Sequence, residues 1–296
     1  MIYQVTHRTT FTYSQPVAIS HHVLRLALRS HPRQHSLRST LTIDPIPSVR
    51  SDGKDYFGNP LTHLTIQTPH SALVVDAQTV VDVKKPEPIH FDQSLPWDLI
   101  LQQLQGSTEA DILDAQQFLY DSPYVTIDDA TYDFVSECFP PGRPILAGVM
   151  DLTSRIFRDF TYEGGVTEVS TPVQDVLTSR KGVCQDFAHL EIAALRSLGL
   201  PARYVSGYLL THPLEGKEKL VGADASHAWL STWCPGVGWV DFDPTNNCMP
   251  SDEHITLAWG RDYGDVSPIN GFMIGGGHHI PTVSVDVEPV NLPSIV

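Results

Sequence analysis

The feature that most constrains this chain is the segment 182–199, where the run GVCQDFAH opens an apolar-periodic stretch that closes on Gly199. At 3.6 residues per turn, Phe187, Leu190, Ala194 and Leu198 form one stripe, with Ala188 and Leu195 along its edge. The pattern predicts a helix buried along most of one side. Gly199 suits the left-handed position that ends a helix, and Pro201 prevents a restart. Cys184 then falls in the first turn, where unpaired backbone N–H groups and the positive end of the dipole favour a thiolate. Arg180 and Lys181 act in the same direction. A cysteine activated in this way is a nucleophile near neutral pH, whereas a buried free cysteine is only a small apolar side chain. The rest of the chain decides between the two.

At 296 residues the chain has room for two domains, each with its own core. With 34 acidic against 19 basic residues and no Lys/Arg cluster, neither nucleic acid nor an anionic membrane is an expected partner. The balance favours neutral or basic substrates. Cys138, Cys184, Cys234 and Cys248 form no CxxC pair, so reduced thiols and a cytoplasmic location are expected. The first residues lack a basic region followed by an apolar core, and no apolar run reaches about 18 residues, so neither secretion nor a membrane span is expected.

Residues 1–85 alternate in short β-rich runs, as in 10–13, 41–43 and 61–66, and turn residues punctuate them at Asp52-Gly53 and Gly58-Asn59-Pro60. They predict a β-sandwich-like or barrel-like domain. The stretch Lys84-Lys85-Pro86-Glu87-Pro88 marks a boundary, giving domains of 1–85 and 86–296. Helical patterns over 97–104, 110–120 and 144–160 follow, the last opening on Pro144 with Ile145, Val149, Leu152 and Ile156 as its stripe. After the Cys184 helix come a strand from Ala202, a polar loop over 211–224, and a hairpin with arms 227–233 and 239–243. Pro244 closes the second arm because it cannot donate to a ladder.

If the hairpin folds about Pro235, His227 stands directly opposite Asp243, within hydrogen-bonding reach. A two-residue slip instead puts His227 opposite Thr245. An imidazole oriented by a carboxylate is the second half of a nucleophile, base and orienter triad, with Cys184 as the nucleophile. His189 is the rival base. Five residues along a helix turn it about 140° away from Cys184, so it should not reach. Asp241 is a rival to Asp243 on the same face.

The segments Lys181-Gly182-Val183-Cys184-Gln185-Asp186, Pro201-Ala202-Arg203-Tyr204-Val205-Ser206-Gly207, Ser226-His227-Ala228-Trp229 and Gly238-Trp239-Val240-Asp241-Phe242-Asp243-Pro244 resemble, in order, bacterial transglutaminase-like proteins of the cysteine-protease type. The likeness extends upstream to Phe160-Thr161-Tyr162, downstream to 252–268, and to the N-terminal domain of that family. It implies an α+β fold with a papain-like, transglutaminase-like core behind an N-terminal β-sandwich-like domain. It also implies thiol acyl chemistry on a peptide or protein substrate, without a cofactor, and carries the nucleophile, base and orienter onto Cys184, His227 and Asp243.

Gln185 and Tyr162 are candidates for a second oxyanion donor beside the Cys184 backbone N–H, and Trp229 and Trp239 are candidates for the pocket wall. Asp186 suits a cap on the helix start, and Glu191 a packing role. Asp252, His254, Asp262 and Asp265 match no dedicated cage, so no metal site is assigned. The Gly275-Gly276-Gly277-His278-His279 run reads as a flexible turn, followed by a last strand over 282–289.

Overall fold

The computed structural model describes residues 1–211 and 226–290; most of the expected polar loop lies outside them. The fold is α+β, with a β-rich N-terminal domain and a transglutaminase-like core. The amino-terminal strands are longer than the short runs expected. β1 (Ile2–Leu24) is continuous, and it is joined by β2 (Gln34–Asp44), β3 (Val49–Lys54), β4 (Pro60–Ile66) and β5 (His70–Val83). They form one sheet in the order β2-β5-β1-β4-β3.

The β1–β5 register shifts between Thr12 and Val17, around Pro16, so β1 serves two halves of the sheet. Val17 and Leu24 of β1, Leu64 and Ile66 of β4, and Leu73 and Val75 of β5 meet in one apolar cluster. The halves thus face each other as a sandwich does.

The C-terminal strands were expected to extend the second domain. Instead β12 (Ile269–Gly275) and β13 (His279–Pro289) both pair with β1 and complete the N-terminal sheet. The glycine run joining them holds positive φ at Gly275, Gly276 and Gly277, a backbone that only glycine adopts freely.

The core pairs helices with a four-stranded antiparallel sheet in the order β10-β9-β8-β11. Its strands are β8 (Ala202–Leu209), β9 (Ser226–Cys234), β10 (Gly238–Phe242) and β11 (His254–Gly260). Helices α1 (Trp97–Leu104), α2 (Ala110–Gln116) and α4 (Ile145–Asp159) fall where the periodicity predicts them, although α2 stops four residues early. Two short helices escaped the sequence reading, α3 (Asp129–Ser136) and α5 (Val173–Ser179), each too brief to show an amphipathic period. Asp128, capping α3 through the Thr131 N–H at 2.9 Å, was its visible signal. No described helix is long and apolar enough to cross a membrane.

The two domains share a buried apolar seam of Tyr3, Val5 and Val81 against Tyr208, Ile255 and Leu257. The outer edge of β11 is closed by side-chain amides rather than another strand. Gln34 donates to Thr256 O at 2.7 Å and accepts from Thr256 N at 2.8 Å. Asn59 does the same with Trp259, at 2.8 and 3.0 Å. Two amides thereby replace the ladder that an exposed edge would offer to another chain.

Candidate active site

The cysteine helix, α6 (Cys184–Ser197), begins where the sequence places it. Its burial exceeds expectation: all residues from Asp186 to Arg196 are buried, because α3 and α5 cover the side away from β8 and β9. The Asp186 carboxylate accepts the Val183 N–H at 2.8 Å and the Thr167 hydroxyl at 2.7 Å, capping the helix start. Gly182 belongs to β7 (Lys181–Gly182), which pairs with β6 (Thr161–Tyr162). A Cβ there would lie 2.8 Å from that carboxylate, so only glycine permits the approach. Cys184 is left half-buried at the first turn, whose N–H groups have no partner within the helix.

The hairpin register differs from the expected one by two residues. Asp241 pairs with Ser231 and Trp239 with Trp233, so the strands pivot about Gly236 rather than Pro235. Gly236 and Gly238 both take positive φ, and Val237 N–H closes the loop on Cys234 O at 3.1 Å. β10 ends at Phe242, and Asp243 starts a tight turn that pairs back to Cys248. A two-residue slip keeps the faces, so the carboxylate still reaches its histidine diagonally. His227 Nε2 lies 2.7 Å from Asp243 Oδ2.

Four further donors, from His254, Thr245 and Asn246, hold that carboxylate. His254 Nδ1 accepts the Ser251 N–H at 3.3 Å, which leaves Nε2–H to donate to Asp243 Oδ2 at 3.1 Å. Asn246 Nδ2 donates to the same oxygen at 2.7 Å, while Oδ1 accepts the Thr245 and Asn246 N–H groups at 2.9 and 3.2 Å. Sequence reasoning placed His254 in a different cluster and passed over Asn246. The only hint of Asn246 was an Asx-turn composition after Pro244.

Burial opposes a charge on Asp243, yet its hydrogen bonds from His227, His254 and Asn246 hold it below the ordinary carboxylate range. Burial likewise opposes the His227 imidazolium. Its hydrogen bonds to Asp243 and to Cys184, with the charges behind them, outweigh that and raise its pKa to about 10. With Nε2 committed to Asp243, Nδ1 is the nitrogen left for the thiol. Burial pushes the thiols of Cys138, Cys234 and Cys248 up, the last two to about 11, which suits inert packing residues.

Cys184 and His227 open onto a cleft of about 350 Å³ shared with Gln185, Tyr204 and Ser206. The opposite wall is His7, Thr9 and Phe11 of β1 with Pro281 and Val283 of β13, so the N-terminal domain lines the cleft. Gln185 borders it, although its amide donates to Val169 O at 3.1 Å. Tyr162 is exposed, edge-on to Phe187, and burial followed by the charge of Cys184 raises its pKa.

Trp229 departs from expectation. It is fully buried, with its ring under Gly207 and beside His254, and braces the histidines instead of walling the pocket. Trp239 lies away from the cleft, against Phe118 and Arg203.

His189 is excluded as the base: it accepts the Tyr263 N–H at 3.2 Å and stacks on Tyr124. Asp241 is taken by Arg33 at 3.0 Å and by the Ser231 hydroxyl. Glu191 accepts the Thr153 hydroxyl at 2.7 Å, and burial raises its pKa to about 8. The acidic residues once grouped with His254 are dispersed: Asp262 caps α7 (Tyr263–Val266) and Asp265 pairs with Arg261 at 2.9 Å. Among the described residues the trio with metal-ligand proximity is His227, Asp243 and His254, whose ligand atoms lie within 4.8 Å of one another. Both histidines point Nε2 at one carboxylate oxygen, so a cation there would displace two hydrogen bonds.

A helix-start cysteine beside a histidine locked to a buried carboxylate, on an α+β core, defines a thiol-enzyme fold class. The chain belongs to the transglutaminase-like superfamily: residues 135–244 match that family's profile, and residues 3–82 match the bacterial transglutaminase-like N-terminal region. It is 40% identical to an uncharacterised protein of Mycobacterium tuberculosis, over 97% of this chain and 92% of the relative. A protein-glutamine gamma-glutamyltransferase of Pseudomonas aeruginosa is 38% identical over 33% of this chain and 16% of its own length. The crystal structure of a "Putative Cysteine Protease" from Cytophaga hutchinsonii superposes with a TM-score of 0.79 at 23% identity, over 99% of this chain and 92% of the other, and shares its fold.

Proposed function

We propose that the protein is a cysteine-dependent acyl-transfer enzyme that hydrolyses peptide or carboxamide bonds through a thioester. The observation that carries this reading is the His227–Asp243 contact of 2.7 Å, with His227 also hydrogen-bonded to Cys184 at one cleft. In the proposed reaction the Cys184 thiolate attacks the carbonyl carbon, and the first-turn N–H groups receive the oxyanion. Collapse breaks the C–N bond, and the amine departs with the proton of His227. His227 then deprotonates a water that attacks the thioester, the C–S bond breaks, and a carboxylic acid leaves. Asp243 orients the imidazole throughout. A cytoplasmic setting, read from the lack of any CxxC pair in the sequence, is part of the same proposal.

A primary amine in place of water gives transglutaminase chemistry on the same triad, and the similarity to the Pseudomonas glutamyltransferase favours testing it.

The test is the pH–rate profile of iodoacetamide alkylation at Cys184, located by peptide mass spectrometry. Rapid labelling at pH 6 that disappears in His227→Ala supports the pair. Labelling that rises only near the free-thiol value of about 8.5 in both proteins sinks it and favours an inert binding module. Glutamine peptides offered with a labelled amine then separate hydrolysis from amine transfer.

A further inference from the structure

Alternate residues of β8 face different surroundings. Tyr204 and Ser206 border the cysteine cleft, whereas Arg203 and Val205 face a second cavity between the N-terminal domain and the core sheet. This cavity measures about 750 Å³, and its walls include Arg29, His31, Arg33, Phe57, Gln117 and Trp239.

Arg203 is 7% exposed, and its guanidinium carbon lies 4.2 Å from the Trp239 ring centre and 3.8 Å from that of Trp259. Two indoles therefore pack against the cation, yet no hydrogen bond to its side chain is formed among the described residues, and Nε is buried without a partner. Arg29 stacks on the same Trp259 at 3.4 Å and also has a buried, unpartnered Nε. His31 accepts the Arg33 N–H at Nδ1, so its proton sits on Nε2, a third buried donor with nothing to bond.

The nearest acid does not satisfy this excess. Asp241 is committed to Arg33 and Ser231. Asp114, at the exposed rim, accepts from Gln117 at 2.8 Å. Against three orphan donors stands one orphan acceptor, Gln117 Oε1. Buried donors without acceptors are costly, and a cationic fork with open N–H edges matches an oxyanion.

We propose that this inter-domain cavity binds a small oxyanion that also carries a hydroxyl, either a phosphate or a hydroxycarboxylate, anchored on Arg203. The oxyanion lies in the plane of the guanidinium, with Arg29 and His31 donating from the side, and the hydroxyl meets Gln117. The site is separate from Cys184 and needs no turnover to be measured.

Isothermal titration of the full chain at low ionic strength, with inorganic phosphate in one arm and malate in the other, provides the test. Saturable binding of one probe is expected, and the arm that binds tells phosphate from carboxylate. Arg203→Met keeps the packing against the indoles and should weaken binding about tenfold or more. Cys184 alkylation should stay unchanged in it. His31→Phe removes only the edge donor and should weaken binding a few-fold, which keeps the test open if Arg203→Met does not fold. No saturable heat in either arm, or equal affinity in the wild type and both variants, overturns the proposal and leaves the cavity a water-filled seam.

Discussion

His189 and His227 are both buried histidines at the core sheet, and their surroundings drive them in opposite directions. His189 sits mid-helix between Tyr124 and Tyr204, and burial, aided by the charge of Arg196, lowers its pKa to about 3. His227 is nearly as buried, yet its pKa rises to about 10 because a fixed carboxylate and a thiol accept from it. Two buried histidines of the N-terminal sheet follow His189: burial lowers His7 and His22 to about 4. Burial alone makes a neutral imidazole. What distinguishes the candidate base is an anion held in place by five donors.

Removing the groups that make His227 different should have the largest effects. Cys184→Ser should abolish peptide-mapped alkylation at that position, and His227→Ala should slow it about a hundredfold at pH 6, where a free thiol is almost wholly protonated. Either variant labelling at the wild-type rate breaks the comparison.

Asp243→Asn should come next, slowing alkylation about tenfold and moving its alkaline limb down in pH, since His227 then resembles His189. The sign also applies to stability. The raised imidazolium contributes stability that is fully present below about 6.5 and is lost as pH climbs through about 10. The Asp243 contribution is present above the ordinary carboxylate range and is lost as pH falls through the carboxyl's own depressed value. A thermal melt series from pH 3 to pH 10 in Asp243→Asn should therefore lose both flanks of the wild-type profile.

His254→Gln removes one donor to Asp243 and should slow alkylation a few-fold, with rescue by His254→Asn if the amide reaches the same oxygen. His189→Gln sharpens the contrast from the other side. It should lower the melting temperature while leaving the alkylation profile in place, and a shifted profile would show that the two histidines are coupled.

The smallest effect is expected at Glu191. Its raised pKa means the folded protein binds a proton that the unfolded chain has released, so stability falls as pH rises from about 4.5 to about 8. Glu191→Gln should melt near the wild type at pH 5 and a few degrees higher at pH 8.

Much of the site was legible because its signals are local. A helix start, a capping aspartate and a hairpin with aromatic arms are each written within about a dozen residues, so Cys184, Asp186 and the His227–Asp243 partnership followed from spacing. The register did not. The pivot at Gly236 rather than Pro235 depends on which glycines adopt positive φ, and the partnership survived because a two-residue slip preserves the faces. Trp229 was misplaced for a related reason. Alternation tells which face a residue takes, and only the bare Gly207 opposite shows that this face is packed solid behind the histidines.

The amino-acid order by itself determined the cysteine at a helix start, the α+β alternation of elements, and the histidine on one hairpin arm with the carboxylate just past the end of the other, because each depends on periodicity or turn chemistry within one stretch. Only the tertiary structure decided that β12 and β13 return to β1, that β1 and β13 wall the cysteine cleft, that His254 and Asn246 hold Asp243, and that Arg203 faces an inter-domain cavity with its Nε unpartnered. Except around Asp243, whose partners Asn246 and His254 lie 3 and 11 positions away, those contacts join residues tens to hundreds of positions apart. No local period encodes them, and they exist only once the two sheets have closed on each other.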